Sequence, residues 1–245
     1  MVPAIGVVMV NRKTSMIGDA LSHSALAGVG MGLILGFDPL IGMVIICIFA
    51  AYLIEIIRHR FPQYGDMATA IIMSIGLGLA SILSDFAPGG TSFESYLFGS
   101  IASVTTTDVI NVAIVFVLVL FASIKEYAGL LAIAIDHNTA RLSGVNVKWI
   151  NAVFTLLSAV TIAMAVKLVG ALMVTSLIVL PVATTLIVAR SYKQTLITTI
   201  VLGIIYMMTG ITASYYYDIK PGGAIIIAAL VGMFVFFVYG KIKKR

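Results

Sequence analysis

Long apolar runs alternate with short polar breaks along nearly the whole chain, and this pattern predicts membrane-spanning helices. A helix needs about 20 mostly apolar residues to cross a bilayer. The apolar run at residues 1–10 is too short and is predicted to be only the inner end of a span. The remaining spans are predicted at residues 15–36, 40–57, 67–84, 109–124, 150–166, 168–189, 195–213 and 223–239. The sequence thus predicts an all-α, polytopic helical membrane protein of about nine transmembrane segments, the first truncated.

The charges between the runs predict an orientation. Clusters of Lys and Arg fall on one side of the predicted membrane, as in the terminal KIKKR, while the other side carries Asp38, Asp85, Glu94, Asp108 and Asp218. An excess of Lys and Arg marks cytoplasmic loops. The C-terminus is therefore predicted to be cytoplasmic, with Lys167 and Lys220 as exceptions to the rule. In the same scheme Lys167 is the break between two spans, and Pro181 predicts a kink or break within the next one.

Two polar stretches interrupt the apolar pattern. Residues 85–108 are predicted to lie outside, and the segment SYLFGSI within them could form a short re-entrant or interfacial helix. Residues 134–149 form the longest internal polar stretch and are predicted to be cytoplasmic. Asp136 or Asn138 could cap a short helix there, and Gly144 is expected to end it in the left-handed region. This helix could be an ordinary amphipathic loop element, or it could lie across a partner and transmit motion.

The composition agrees with a membrane protein. The 245 residues are 61% hydrophobic and 10% charged, with a mean hydropathy of +1.14, whereas soluble domains carry roughly 25% charged residues. A single transmembrane domain is predicted over residues 1–245. The net charge of +5 follows from the basic loops, so no nucleic-acid partner is expected. A single cysteine, Cys47, excludes a disulfide framework within the chain.

Asp19 and His23 stand four residues apart inside the predicted span 15–36, in the stretch MIGDALSHSALAG. Four residues make about one helical turn, so both side chains leave one face of a helix, with Cβ atoms about 6 Å apart. Ionisable groups at bilayer depth are costly and usually mark an ion pathway, a proton relay or a bound ion. Carboxylate and neutral imidazole suit Zn²⁺ or Mn²⁺. Asp19 and His23 are therefore predicted to bind a transported metal.

The same pair admits two other interpretations. Asp19 could accept a hydrogen bond from His23 and serve only helix packing, or both residues could relay protons. Two ligands do not close a tetrahedral zinc site, so water, another helix or a second copy of the chain would supply the others. On the following turns Gly28, Gly32 and Gly36 form a ridge, which begins opposite Asp19 and is expected to pack against neighbouring helices.

Several catalytic motifs are absent from the sequence. It contains no G-x-x-x-x-G-K-[ST] phosphate-binding loop, so any ATP hydrolysis would belong to another chain. It contains no G-x-S-x-G nucleophile motif and no H-E-x-x-H metalloprotease motif. The chain is therefore predicted not to be an enzyme.

Four stretches together carry a resemblance that covers almost the whole chain. They are SMIGDALSHSALAG, SYLFGSI, DHNTARLSGVNVKW, and VGALMVTSLIVLPVAT with the later SYYYDIKPGGAI. In order and approximate spacing the chain resembles the permease subunits of bacterial ABC importers for zinc and manganese. The segment LIVLPVATT followed by ARSYKQT is more similar to the zinc branch. Members of the family begin with a complete first span, and this sequence holds only the last part of one.

The resemblance implies a multi-pass permease of the bacterial cell membrane. It would be a homodimer served by cytoplasmic ATP-binding subunits and an extracytoplasmic metal-binding protein, with lipid around it and no permanently bound cofactor. Asp19 and His23 are similar to the family's metal-coordinating pair, and the transported ion would be Zn²⁺ or Mn²⁺. The stretch with Asp136, Ala140, Arg141 and Gly144 is similar to the helix that docks in the ATPase cleft. The alternative function is a proton- or ion-coupled secondary transporter of metal, with Asp19 and His23 as a relay.

Overall fold

Apolar helices make up most of this protein. The computed structural model describes residues 1–12, 14–87, 90–99, 104–135, 137–189 and 191–243. Within these ranges the chain forms twelve α-helices and one 3₁₀ turn, Pro62–Tyr64, and no strand. The helices are α1 Val2–Asn11, α2 Met16–Leu35, α3 Pro39–Arg60, α4 Gly65–Phe86, α5 Gly90–Phe98, α6 Thr106–Lys125, α7 Tyr127–Ile135, α8 His137–Leu142, α9 Val147–Val169, α10 Ala171–Val188, α11 Tyr192–Tyr217 and α12 Pro221–Lys243.

The predicted fold class is confirmed. Among the described helices, eight are long and apolar enough to cross a membrane, and α1 is a shorter apolar helix. Each of the eight corresponds to one span predicted from the sequence. The short helix expected around SYLFGSI is present as α5, although residues 100–103, at the end of that segment and beyond it, lie outside the described residues.

Three local predictions differ from the structure. Lys167 lies inside the last turn of α9, and the chain turns instead at Gly170, whose φ of 93° suits glycine. Pro181 does not break α10, which runs through it from Ala171 to Val188. The apolar helix α7, Tyr127–Ile135, was not predicted, because its nine residues are too short to register as a span.

The chain folds into two compact units, and the division between them falls inside α6, α9 and α10. One unit consists of Met1–Ser15, Phe116–Asn151 and Ser176–Arg245. In it α11 packs against α12 and α1, and α1 also meets α7. A buried cluster of Leu202, Tyr206 and Ala229 joins α11 to α12.

The other unit consists of Met16–Val115 and Ala152–Thr175, and α2 is its central helix. Helix α2 packs against both α3 and α4, and most of its residues are buried. At the crossing with α3, a Cβ atom added to Gly28 would lie 2.5 Å from the carbonyl oxygen of Gly42. A Cβ added to Gly32 would lie 2.8 Å from the Cα of Pro39 in α3, and Gly36 has a φ of 74° just beyond the end of α2. The glycine ridge is thus confirmed as the packing side of α2 at its first two positions.

Candidate metal site

Asp19 and His23 lie on one face of α2, as their spacing predicts. Asp19 is in the first turn of the helix and His23 follows one turn later. The His23 Nε2 atom lies 3.6 Å from Asp19 Oδ1, and the two side chains are 13% and 32% exposed, respectively. Hydrogen bonds between nitrogen and oxygen span about 2.7–3.2 Å. The two groups are therefore neighbours, but they are not hydrogen-bonded to each other.

The other ring nitrogen of His23 is buried. Among the residues that the structure describes, no group forms a hydrogen bond with Nδ1. Most buried polar side-chain atoms have a hydrogen-bond partner, and an exception calls for an explanation such as an ion. A purely structural Asp–His pair would need the hydrogen bond that the 3.6 Å separation does not provide. The geometry therefore leaves His23 without a hydrogen bond to Asp19, and with Nδ1 unpartnered among the described residues.

Thr175 is the third member of this group. Its Oγ1 donates a hydrogen bond of 3.0 Å to Oδ1 of Asp19, from the first part of α10 to the first turn of α2. The sequence analysis did not single out Thr175. It lies 156 positions from Asp19, so no helical periodicity relates the two. Its position in the quoted stretch VGALMVTSLIVLPVAT, in an apolar helix, was the only available signal.

The described residues do not complete a metal site within one chain. They contain no group of three or more His, Cys, Asp or Glu side chains placed to hold an ion. Cys47 is buried near α2, where its thiol donates to the carbonyl oxygen of Leu21 at 3.4 Å. The chain thus offers one carboxylate and one imidazole, and the remaining positions around an ion would be open.

A second pair of ionisable groups lies within the same unit. Lys167 Nζ is 2.6 Å from Asp108 Oδ1, and these side chains are 17% and 6% exposed. Asp108 Oδ2 accepts hydrogen bonds from the Thr105 backbone amide at 3.0 Å and its hydroxyl at 2.8 Å. Nearby in α5, burial raises the pKa of Tyr96, so that phenol stays neutral. From the sequence, Lys167 was only an exception to the charge rule. In the structure, the carboxylate of Asp108 neutralises its positive charge.

The segment predicted to couple to an ATPase forms the short helix α8. Asp136 lies outside the described residues, Ala140 is buried with 1% exposure, and Arg141 is exposed. The amide of Val145 donates to the carbonyl of Ala140, and that of Gly144 to the carbonyl of Arg141. With a Gly144 φ of 81°, these are the bonds of a Schellman motif. The predicted left-handed end at Gly144 is confirmed.

The sequence matches the ABC 3 transport family over residues 1–240. The chain belongs to this family. The resemblance carried by the four motifs is thereby confirmed at the level of the family, which includes metal ABC importer permeases.

Two relatives of this ABC 3 family chain are named for different metals. It is 30% identical to the high-affinity zinc uptake system membrane protein ZnuB of Haemophilus influenzae, over 92% of this chain and 87% of that protein. It is 26% identical to the manganese transport system membrane protein MntC of Listeria monocytogenes, over 96% of this chain and 84% of that protein.

A solved structure shares the fold. In PsaBC from Streptococcus pneumoniae in complex with Fab, one chain superposes with a TM-score of 0.86 and 27% sequence identity. The match covers 96% of this chain and 85% of that one. The fold of this chain is therefore shared with a chain of that solved complex.

Proposed function

We propose that this chain is the membrane permease subunit of an ATP-driven importer of a divalent transition metal, with zinc favoured over manganese. Residues 1–245 serve as one permease domain of a bacterial cell membrane, with the C-terminus in the cytoplasm. Metal is delivered from outside, is held briefly by Asp19 and His23, and is released inward by alternating access. The membership of the chain in a transport family supports a transport subunit over an enzyme.

The burial of His23 and the lack of a hydrogen bond at its Nδ1 atom among the described residues are the observations that support the metal site. A largely buried imidazole with Nδ1 unpartnered among the described residues, and with Nε2 3.6 Å from a carboxylate oxygen, supports ligation over a packing role. An ion shared with Asp19 would bind at Nε2, the ring nitrogen that lies nearer the carboxylate. The form of imidazole that binds a metal is the neutral one.

Incomplete ligation fits a site that must release its ion. Zinc in closed structural sites has four protein ligands, whereas open sites keep a position for water or substrate. We propose that a second copy of this chain contributes the same two residues to the translocation path. In that homodimer two carboxylates and two imidazoles would surround the metal, and the donor set would suit Zn²⁺.

The preference for zinc rests on the segments LIVLPVATT and ARSYKQT, which are more similar to the zinc branch of the family. Relatives named for zinc and for manganese both match the chain, so the family relationship supports a divalent transition metal in general. No resident cofactor is proposed, since the metal is the cargo.

Two features support the proposed partners, namely the absence of a P-loop motif from the sequence and the exposed residues of α8. The sequence has no P-loop, so separate cytoplasmic subunits would hydrolyse ATP. We propose that α8, His137–Leu142, with Asp136 before it and Gly144 after it, docks with them. The exposed Arg141 and Leu142, the latter 89% exposed, support a protein contact there. An extracytoplasmic metal-binding protein would deliver the ion.

The test is metal accumulation in bacterial cells that lack their own zinc and manganese importers. The cells carry this permease with its cognate ATPase and metal-binding protein. Wild type is compared with His23→Ala and with His59→Ala, which removes a different imidazole, at equal membrane abundance. We expect wild type and His59→Ala to restore zinc accumulation and His23→Ala to abolish it, because the site loses a nitrogen ligand.

The other outcomes are distinct. Restoration of manganese alone would overturn the zinc preference and leave the permease function standing. Transport by His23→Ala at the wild-type level would mean that the Asp–His pair is structural. Uptake without the ATPase that is abolished by an uncoupler would instead identify a secondary transporter, with the pair as a relay.

A further inference from the structure

The hydroxyl of Thr175 behaves differently from those of Thr184 and Thr185 in the same helix. A Ser or Thr in a helix commonly donates to a backbone carbonyl three or four residues earlier. That arrangement is found here for Thr184, which donates to Leu180, and Thr185, which donates to Pro181, both in the same helix as Thr175. Thr175 instead donates to the Asp19 carboxylate on α2.

The hydrogen bond from Thr175 restricts the orientation of the Asp19 carboxylate. Thr175 binds Oδ1, the oxygen that faces His23 Nε2 at 3.6 Å. The Asp19 side chain is 32% exposed, so its carboxylate is only partly covered by the protein. A carboxylate held at one oxygen has lost much of its freedom to rotate, so the direction of the other oxygen is fixed as well.

We propose that Thr175 is a positioning residue of the metal site, whose hydroxyl holds the Asp19 carboxylate in a fixed orientation beside His23. This inference rests on the proposed function, because it assumes that Asp19 and His23 bind the metal. Hydrogen bonds from neighbouring groups orient metal ligands, and loss of such a bond typically costs about 10–100-fold in metal affinity or activity. Thr175 itself does not bind the metal.

The test is equilibrium dialysis of Zn²⁺ against the purified permease with its ATPase in lipid nanodiscs. The metal-binding protein is left out, because its own site would dominate the measurement. Thr175→Val removes the hydroxyl at nearly constant volume, and Thr175→Ser keeps it. Thr185→Val makes the same change in the same helix, away from Asp19, and is the matched control. His23→Ala reports on the site itself.

We expect Thr175→Val to raise the dissociation constant for Zn²⁺ about 10–100-fold, with an unchanged melting temperature. Thr175→Ser and Thr185→Val should bind close to wild type. If Thr175→Val unfolds, Thr175→Ala serves in its place, and rescue by serine remains the deciding comparison.

The binding of the other variants separates the role of Thr175 from the metal site itself. Wild-type binding by Thr175→Val, with loss of binding in His23→Ala, refutes the role of Thr175 and leaves the proposed function intact. Equal losses in Thr175→Ser and Thr175→Val assign the effect to packing and refute the hydrogen bond. Wild-type binding by His23→Ala refutes the metal site, and the role of Thr175 with it.

Discussion

Two ionisable pairs among the described residues, Asp108 with Lys167 and Asp19 with His23, have opposite characters. Asp108 and Lys167 are in direct contact at 2.6 Å, and Thr105 satisfies the second carboxylate oxygen. Asp19 and His23 stay 3.6 Å apart, and Nδ1 of His23 is unpartnered among the described residues. Charges in a low-dielectric surrounding need a partner and further hydrogen bonds. The first pair therefore belongs to the scaffold, and the second has capacity left for an ion.

The Asp108–Lys167 pair yields a stability prediction. Lys167→Met leaves the Asp108 carboxylate buried without its countercharge, and breaking a buried pair in this way costs about 3–5 kcal/mol. The double variant Lys167→Met with Asp108→Asn removes both charges and keeps an acceptor for Thr105. We expect a lower melting temperature for the single variant and substantial recovery in the double one, measured by thermal unfolding of the purified permease. A double variant as unstable as the single one would contradict the assignment.

Helix α2 carries Asp19 and His23, the residues of the proposed metal site, and packs closely against α3 and α4. Its contact with α3 is backbone to backbone at Gly28 and Gly42, and at Gly76 of α4 an added Cβ would lie 2.7 Å from the hydroxyl of Ser24. Small residues allow this closeness, and in a membrane helix association depends on such packing. The position of Asp19 and His23 therefore depends on glycines on the neighbouring turns of the same helix and on the helices it touches.

Gly28→Ala tests this packing, with Gly78→Ala as its control. A Cβ at position 28 would lie 2.5 Å from Gly42 O and 2.6 Å from Met43 Cα, whereas position 78 has nothing within 4 Å. Backbone atoms cannot move aside as a side chain can. We therefore expect Gly28→Ala to lower the free energy of unfolding by about 1–3 kcal/mol. Gly78→Ala should be neutral or more stable by up to about 1 kcal/mol. The measurement is the melting temperature of each variant, and equal values for the two would contradict the close α2–α3 contact.

At the scale of the whole molecule, the proposed transport cycle requires an energy source on another chain. Two compact units are built from twelve described helices, and the sequence has no phosphate-binding loop. A cycle of alternating access would therefore need a second chain to drive it, through a surface such as α8.

If α8 docks with the ATPase, a charge reversal on α8 should weaken ATPase binding, whereas a charge reversal on another surface should not. Arg141→Glu reverses a charge on α8, and Lys241→Glu reverses another exposed charge near the end of α12. We expect Arg141→Glu to reduce copurification of the ATPase and metal uptake together, because a repulsive charge enters the docking surface. Lys241→Glu should retain both, at the same membrane abundance. Full ATPase binding by Arg141→Glu would place the docking surface elsewhere.

Much of the fold followed from apolar run length alone. All eight full-length predicted spans are helices, because a run of about 20 apolar residues has few other stable arrangements in lipid. Helix α7 was missed because its nine residues are too few to be recognised as a span. The turn between α9 and α10 was placed at the charged Lys167, but the chain bends at Gly170, where the positive φ is cheap for glycine.

The sequence by itself determined the class of protein, its eight long apolar helices, and the placement of Asp19 and His23 on one helix face. These depend on composition and on local periodicity, which are readable one segment at a time. Only the tertiary structure decided that Asp108 neutralises Lys167, that Thr175 reaches Asp19, and that His23 Nδ1 is buried without a described partner. Each of these depends on how helices distant in sequence pack together, and no local pattern encodes that contact.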